Sequence, residues 1–316
     1  MSNTKKIKKP MKVGIPRALL YFKYAQLWET FLYSLNVEYI ISPDTNSEIL
    51  TRGINIAVDE TCLPSKIFLG HVDWLIGKCD CILIPRMESV GKTNMVCTKY
   101  QAIYDVTRNT FRDQEINILL YNVEKNNLEA EVSAFVKMGT FLGKKKSQSL
   151  ISYWNAKQAQ KADNIVSIKE QQKLLKMNKT KILIIAHQYN MYDKYIGAPI
   201  IAMLQNLDVI PINGCIIDEK TAIQKSALLS ETLPWVLSKE LLGSIAEYRD
   251  YVDGIILLSS FPCGPDSMVN EIIIRRVKDK PILNLVLDGQ EASAGIETRL
   301  ESFMDIINYR KGSHDE

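Results

Sequence analysis

A chain of 316 residues with 46% apolar and 24% charged side chains has enough apolar mass for two ordinary globular cores. Its net charge of +3 is too small to mark a nucleic-acid binder, and no basic face interleaved with aromatics supports one. No stretch approaches the ~20 consecutive apolar residues of a membrane span, and with no apolar leader the six cysteines read as reduced thiols of a cytoplasmic protein.

The run Lys5-Lys6-Ile7-Lys8-Lys9 reads as a solvated tail. A first strand is expected at Lys12–Arg17, stopped by Pro16. A helix from Ala18 to Leu35 follows, with Leu20, Tyr24, Leu27, Phe31 and Leu35 at helical spacing. Val37–Ile41 reads as the second strand, closed by Ser42-Pro43-Asp44. Next come a short helix near Asn46–Arg52, a strand at Ile54–Val58, a helix from Leu63 to about Ile76, and strands at Cys81–Pro85 and Ile116–Val123. Strands alternating with helices imply βαβ units and a parallel sheet.

Glu124 to Asn178 breaks the alternation. It is rich in Lys, Gln, Glu and Ala, contains only Gly139 and Gly143 as glycines, and reads as two or three connecting helices. Strands resume at Lys181–Ala186, Asp208–Ile212, Tyr251–Ser259 and Pro281–Leu287. Helices are expected at Met268–Val277 and from about Ala294 to Arg310. The expectation is an α/β protein with a parallel-sheet domain at 11–123, a helical connector at 124–180 and a second parallel-sheet domain at 181–316. No internal sequence repeat is visible.

In open parallel sheets, ligands bind beyond the carboxyl ends of the strands. Three thiols fall at such places. Cys62 stands in Asp59-Glu60-Thr61-Cys62-Leu63-Pro64, after the strand expected at Ile54–Val58. Cys97 lies in the polar loop after the Cys81 strand. Cys263 stands in Phe261-Pro262-Cys263-Gly264-Pro265-Asp266-Ser267, after Ile255-Ile256-Leu257-Leu258. Three thiols converging there would suit an iron–sulfur cluster or zinc. Asp266 or Ser267 is a candidate cap for the helix that follows. Cys79 and Cys81 share one strand face and read as core, whereas Cys215, on a turn after a strand, is placed to reach a cleft. No CxxC pair supports a zinc ribbon. His187, at the end of a strand, and Glu60 are the candidate acid–base groups. His71 lies in the helix after Cys62 and His314 in a tail. Asp288-Gly289-Gln290-Glu291 and Glu297-Thr298-Arg299 follow the last strand and read equally as crevice groups or as a cap with surface charge. Nucleotide-binding glycine motifs are absent, so the chain does not read as an ATP hydrolase.

The three cysteine segments, together with Gly295-Ile296-Glu297-Thr298-Arg299-Leu300-Glu301, resemble the 2-hydroxyacyl-CoA dehydratase D-component family. That family is related to benzoyl-CoA reductase subunits and double-cubane-cluster proteins. The opening Val13-Gly14-Ile15-Pro16-Arg17-Ala18-Leu19 and His187-Gln188-Tyr189-Asn190 look closest to its activase-associated branch. Many relatives carry Cys-Pro-Lys where this chain has Cys97-Thr98-Lys99.

The resemblance implies two flavodoxin-like domains with a [4Fe-4S] cluster in the interdomain cleft, held by Cys62, Cys97 and Cys263. It implies electrons from an ATP-dependent activase, an acyl-CoA-like substrate, and pairing as a homodimer or with a related subunit. Three other readings stand beside it: a double-cubane [8Fe-9S] reductase of small molecules, a non-catalytic cluster-bearing electron carrier, and a two-domain binding module without metal.

Overall fold

The computed structural model describes residues 11–90, 94–124, 128–289 and 293–312. The basic tail at Lys5–Lys9, Gln290, Glu291 and His314 lie outside those residues. The chain opens with β1 (Val13–Ile15), α1 (Tyr21–Ser34), β2 (Tyr39–Ile41), α2 (Ser47–Ile56), α3 (Leu63–Leu75) and β3 (Cys81–Met87). A two-residue pair, β4 (Ser89–Val90) and β5 (Asn94–Met95), precedes α4 (Thr98–Thr110) and β6 (Ile118–Val123). Two helices follow, α5 (Leu128–Phe141) and α6 (Lys146–Leu175).

The rest runs β7 (Lys181–Ile185), α7 (Gln188–Met191), α8 (Gly197–Asn206), β8 (Ile210–Asn213), α9 (Glu219–Ser226) and α10 (Val236–Tyr248). It ends with β9 (Gly254–Ser260), α11 (Gly264–Arg276), β10 (Ile282–Leu287) and α12 (Ser293–Gly312). No helix among the described residues is long and apolar enough to cross a membrane.

The strands form two four-stranded parallel sheets, ordered β2-β1-β3-β6 and β10-β9-β7-β8. Numbered from its own first strand, each sheet reads 2-1-3-4, the order of flavodoxin-like folds, with the switch point between first and third strands. The α/β class expected from the sequence is therefore present, and the duplication lies in the fold rather than in the sequence. Strands of such sheets are covered on both faces and read as unbroken apolar runs. β9, buried at all seven positions, is the clearest case.

The α5–α6 stretch leans on both sheets. Phe135 of α5 packs edge-on against Phe31 and Tyr121, with ring centroids 4.7 and 5.4 Å apart, and Tyr153 of α6 stands 5.0 Å from Phe135. Each such ring contributes on the order of 1.5–3 kcal/mol by its burial. Farther along α6, Gln160 donates to the Lys23 carbonyl at 2.8 Å. Gln171 donates to the Ile216 carbonyl at 2.9 Å and accepts from the Asn213 amide at 3.0 Å.

Two local expectations are corrected. The strand placed at Ile54–Val58 does not form, because α2 runs through Ile56. Asn46 starts that helix by accepting from the Ile49 amide at 3.0 Å. Gly53 and Gly70 then let α2 and α3 meet backbone to backbone: a Cβ on Gly53 would stand 1.9 Å from the Lys66 carbonyl oxygen. Ile54 and Val58 are exposed, so the apolar run has no core to enter. Cys62 thus follows a helix and a turn, not a strand. The sequence reading also leaves residues 100–115 without an element, whereas α4 occupies most of them, its buried side a sparse stripe of Tyr100, Ile103 and Thr107.

Candidate functional site

Cys62, Cys97 and Cys263 share one structural role: each is the N-cap residue, of α3, α4 and α11 respectively. An N-cap side chain faces the unpaired amides of the first helical turn, where the helix dipole favours negative charge. The Lys99 amide points at the Cys97 sulfur and the Asp266 amide at the Cys263 sulfur. Cys62 Sγ lies 3.2 Å from Ser65 Oγ.

One backbone bond joins two of these caps, and a second anchors the segment that leads into the third. The Leu63 amide donates to the Phe261 carbonyl at 3.0 Å, tying the Cys62 turn to the segment that carries Cys263. The Met95 amide donates to the Pro234 carbonyl at 2.8 Å, fixing the approach to Cys97. The charge of Cys62 consequently bears on both other thiols, and the buried Tyr100 feels all three. Burial pushes the Cys97 and Cys263 thiols up, and it outweighs the opposing amide N–H groups.

Asp266 turns inward instead of capping α11. Its carboxylate pairs with His187 Nε2 at 2.9 Å, with both side chains buried, while Ser267 Oγ donates to the Cys263 carbonyl at 2.8 Å. The His187 ring stacks on Tyr189 with centroids 5.1 Å apart. His187 at the end of β7 and Cys263 just past β9 therefore flank the switch point of the second sheet. Glu60 is exposed on the turn ahead of Cys62 and takes no part in this buried pair.

The remaining candidates separate cleanly. Cys81 opens β3, at the far end of that strand from its carboxyl edge, and is buried. Cys79 Sγ packs over Gly14 and donates to the Leu75 carbonyl at 3.4 Å. Cys215 donates to the Ala186 carbonyl at 2.9 Å and lines a small pocket beside His187. His71 lies elsewhere, 3.1 Å from Thr45. Glu297, Thr298 and Arg299 are exposed on α12, Arg299 bonding the Asn284 carbonyl. Sequence reasoning missed Tyr100 and the Lys23–Glu240 ion pair, whose two residues lie on α1 and α10 and show no shared motif.

Among the described residues, no three His, Cys, Asp or Glu side chains are grouped to hold one metal ion. A polynuclear cluster sets a different requirement, because its cysteines bind different irons and their sulfurs do not meet at one point. Three partly buried thiols with amide N–H groups directed at two of them fit that donor chemistry.

Residues 12–214 match the family described as CoA enzyme activase uncharacterised domain (DUF2229). The matched stretch includes Cys62, Cys97 and His187 and stops before Cys263. No curated protein matches the chain. Among solved structures, similarity is found to a zinc-bound variant of AdcAII from Streptococcus pneumoniae, at 12% identity over 95% of this chain and 99% of that one, with a TM-score of 0.29. The laminin-binding protein Lbp of Streptococcus pyogenes gives 12% identity over 95% and 98%, with a TM-score of 0.29. The laminin-binding adhesin Lmb from Streptococcus agalactiae gives 11% identity over 95% and 98%, with a TM-score of 0.27. Likenesses this weak carry no argument about ligand or activity.

Proposed function

Because this chain belongs to the CoA enzyme activase uncharacterised domain family, we propose that it is an iron–sulfur protein of the 2-hydroxyacyl-CoA dehydratase type. Its partner is an ATP-dependent activase, and Cys62, Cys97 and Cys263 hold a [4Fe-4S] cluster. Such a cluster supplies low-potential, one-electron chemistry toward an acyl-CoA-like substrate. The observation that supports this assignment is the common placement of the three thiols as helix N-caps, with the Cys62 and Cys263 segments tied by Leu63–Phe261 and the charge of Cys62 bearing on both other thiols.

The protein's own residues divide the work. The Lys99 and Asp266 amides soften charge on the sulfurs they face. Asp266, fixed by His187, sets the first turn of α11 against Cys263. Tyr189, stacked on His187, holds that ring in place. Burial of Cys97 and Cys263 limits water around them. A non-catalytic electron carrier is the second reading: the pocket beside His187, at about 20 Å³, does not take an acyl group, so a substrate would have to enter elsewhere, such as the pocket of about 130 Å³ beside Leu63.

The test is iron and acid-labile sulfide per chain after anaerobic reconstitution, wild type beside Cys263→Ala. About four of each in wild type, lost in the variant, is the expected result; about eight would move the assignment to a double cubane. Folded, iron-free wild type would overturn the reading.

A further inference from the structure

The pocket of about 130 Å³ lies past the carboxyl end of β10, where α3 of the first half meets α8 of the second. Its floor is Leu63, Ile196, Ile200 and Leu287, all buried. Met203 is half-buried in its wall, and Tyr195 is exposed at its rim. Gly289 follows β10 with φ +84°, and a Cβ there would stand 3.0 Å from Leu63 Cδ1, so glycine keeps the space beside Leu63 clear. Among the described residues, no charged side chain lines this pocket. A cavity of ~150 Å³ with an apolar lining stays dry and accepts benzene, which sets the occupant at about six carbon atoms.

The floor of this pocket is built on the same backbone as two of the thiols. Leu63 directly follows the N-cap Cys62. Phe261 ties the two floor leucines together: its amide donates to the Leu287 carbonyl at 2.8 Å, and its carbonyl accepts from the Leu63 amide at 3.0 Å. Cys263 stands two residues beyond Phe261. A hydrocarbon group seated on this floor is therefore held against the residue next to Cys62. A carboxylate or phosphate finds no cation in the lining, and burying one unpaired is costly. The polar end of any ligand consequently stays outside the pocket.

We propose that this pocket binds the uncharged hydrocarbon tail of a short acyl group, of about six carbons, and selects against acyl groups that end in a carboxylate. That the acyl group belongs to the substrate rests on the iron–sulfur dehydratase reading, whereas the preference for a hydrocarbon does not. Burial gains about fourfold in affinity for each methylene, up to the length the pocket holds.

The measurement is ¹³C-methyl methionine NMR of the full-length, cluster-free protein, titrated with primary carboxamides, which do not acylate its free thiols. Met203 is one of ten methionines, and Met203→Leu identifies its signal. From butanamide to hexanamide, binding is expected to tighten about fifteenfold and to gain nothing more at octanamide. Adipamate, the hexanamide chain with a terminal carboxylate, is expected to leave the Met203 signal unmoved. Ile200→Phe fills the pocket and should abolish binding. Ile200→Val, a milder change for the fold, should move the length limit outward by about one carbon. A Met203 signal that hexanamide does not move overturns the proposal, as does equal binding of adipamate. Affinity that climbs steadily through octanamide, in wild type and Ile200→Phe alike, is adsorption to the surface and overturns it too. None of these titrations involves iron, so this test and that of the cluster fail independently.

Discussion

His71 is fully buried on α3 with Nε2 3.1 Å from Thr45 Oγ1, and Thr45 donates its own proton to Asp193 Oδ2 at 2.5 Å. Thr45 has only that one proton, so the ring nitrogen facing it must be the N–H, and His71 is the neutral tautomer protonated at Nε2. Nδ1 is left buried without a partner. Burial first, and Arg17 second, hold the ring at a pKa of about 3 against the weaker pull of Asp44. In the unfolded chain the same ring titrates near 6.5. A depressed folded value means that the stability contribution is complete above pH 6.5 and is lost as pH falls toward 3. Between pH 7.5 and pH 5, linkage sets that loss at about 2 kcal/mol. Asp193 is raised by burial and works in the opposite sense, contributing most at low pH and less as pH rises through its folded value. The ring is therefore isolated by comparison with His71→Gln, whose amide N–H can still donate to Thr45 and cannot titrate. Urea unfolding in steps from pH 7.5 to 5 should show wild type losing about 2 kcal/mol more than the variant. Parallel stability curves would refute the buried neutral ring.

Iron content should drop in Cys62→Ser and Cys97→Ser after anaerobic reconstitution but persist in Cys79→Ala; retention in all three would remove the assigned ligands. Lys23→Met alone should destabilise by about 3–5 kcal/mol, because it strands the Glu240 carboxylate, while Lys23→Met with Glu240→Leu should cost much less. Denaturation midpoints of the single and double variants decide this, and an additive pair would show that the two side chains do not interact. Gly53→Ala should destabilise by more than about 2 kcal/mol and lower the midpoint accordingly, since its Cβ meets the Lys66 backbone rather than a side chain that can move. An unchanged midpoint would show that α2 and α3 cross differently.

Where the sequence was readable, the pattern was strong and local. The runs at Cys81, Lys181 and Ile255 are unbroken and apolar because their strands are covered on both faces, and no alternative packing competes for them. Pro16 and Ser42-Pro43 gave the ends of β1 and β2 equally plainly. Ile54–Val58 misled because β-branched residues mark a strand only where a sheet receives them, and here two glycines on facing helices offer a closer contact. Within the candidate site, Cys62 and Cys263 stood out through the turn residues around each thiol, whereas Cys97, in a polar loop, was singled out only by its company with those two. Asp266 was read as a cap because its local position allows one; only the fold reveals His187 as the stronger partner. Lys23 and Glu240, more than 200 positions apart, carry no local signal at all.

The two sheets share one strand order but do not contribute to the site in the same way. In the second, the strands flanking the switch point lead straight into His187 and Cys263, so these groups are aimed by the sheet itself. In the first, the matching strand ends carry Arg17 and Glu88, and the thiols arrive later, on the caps of α3 and α4. Their positions depend on how those helices seat, through Gly53 against α3 and through the backbone bonds Leu63–Phe261 and Met95–Pro234. Main-chain bonds are insensitive to side-chain identity, which leaves helix seating as the vulnerable step. It follows that Gly53→Ala, nine positions ahead of Cys62, should reduce iron uptake through that thiol more than removal of the exposed Glu60 beside it. Equal iron in Gly53→Ala and wild type would show that the Cys62 cap is held by its turn alone, without help from the α2–α3 crossing.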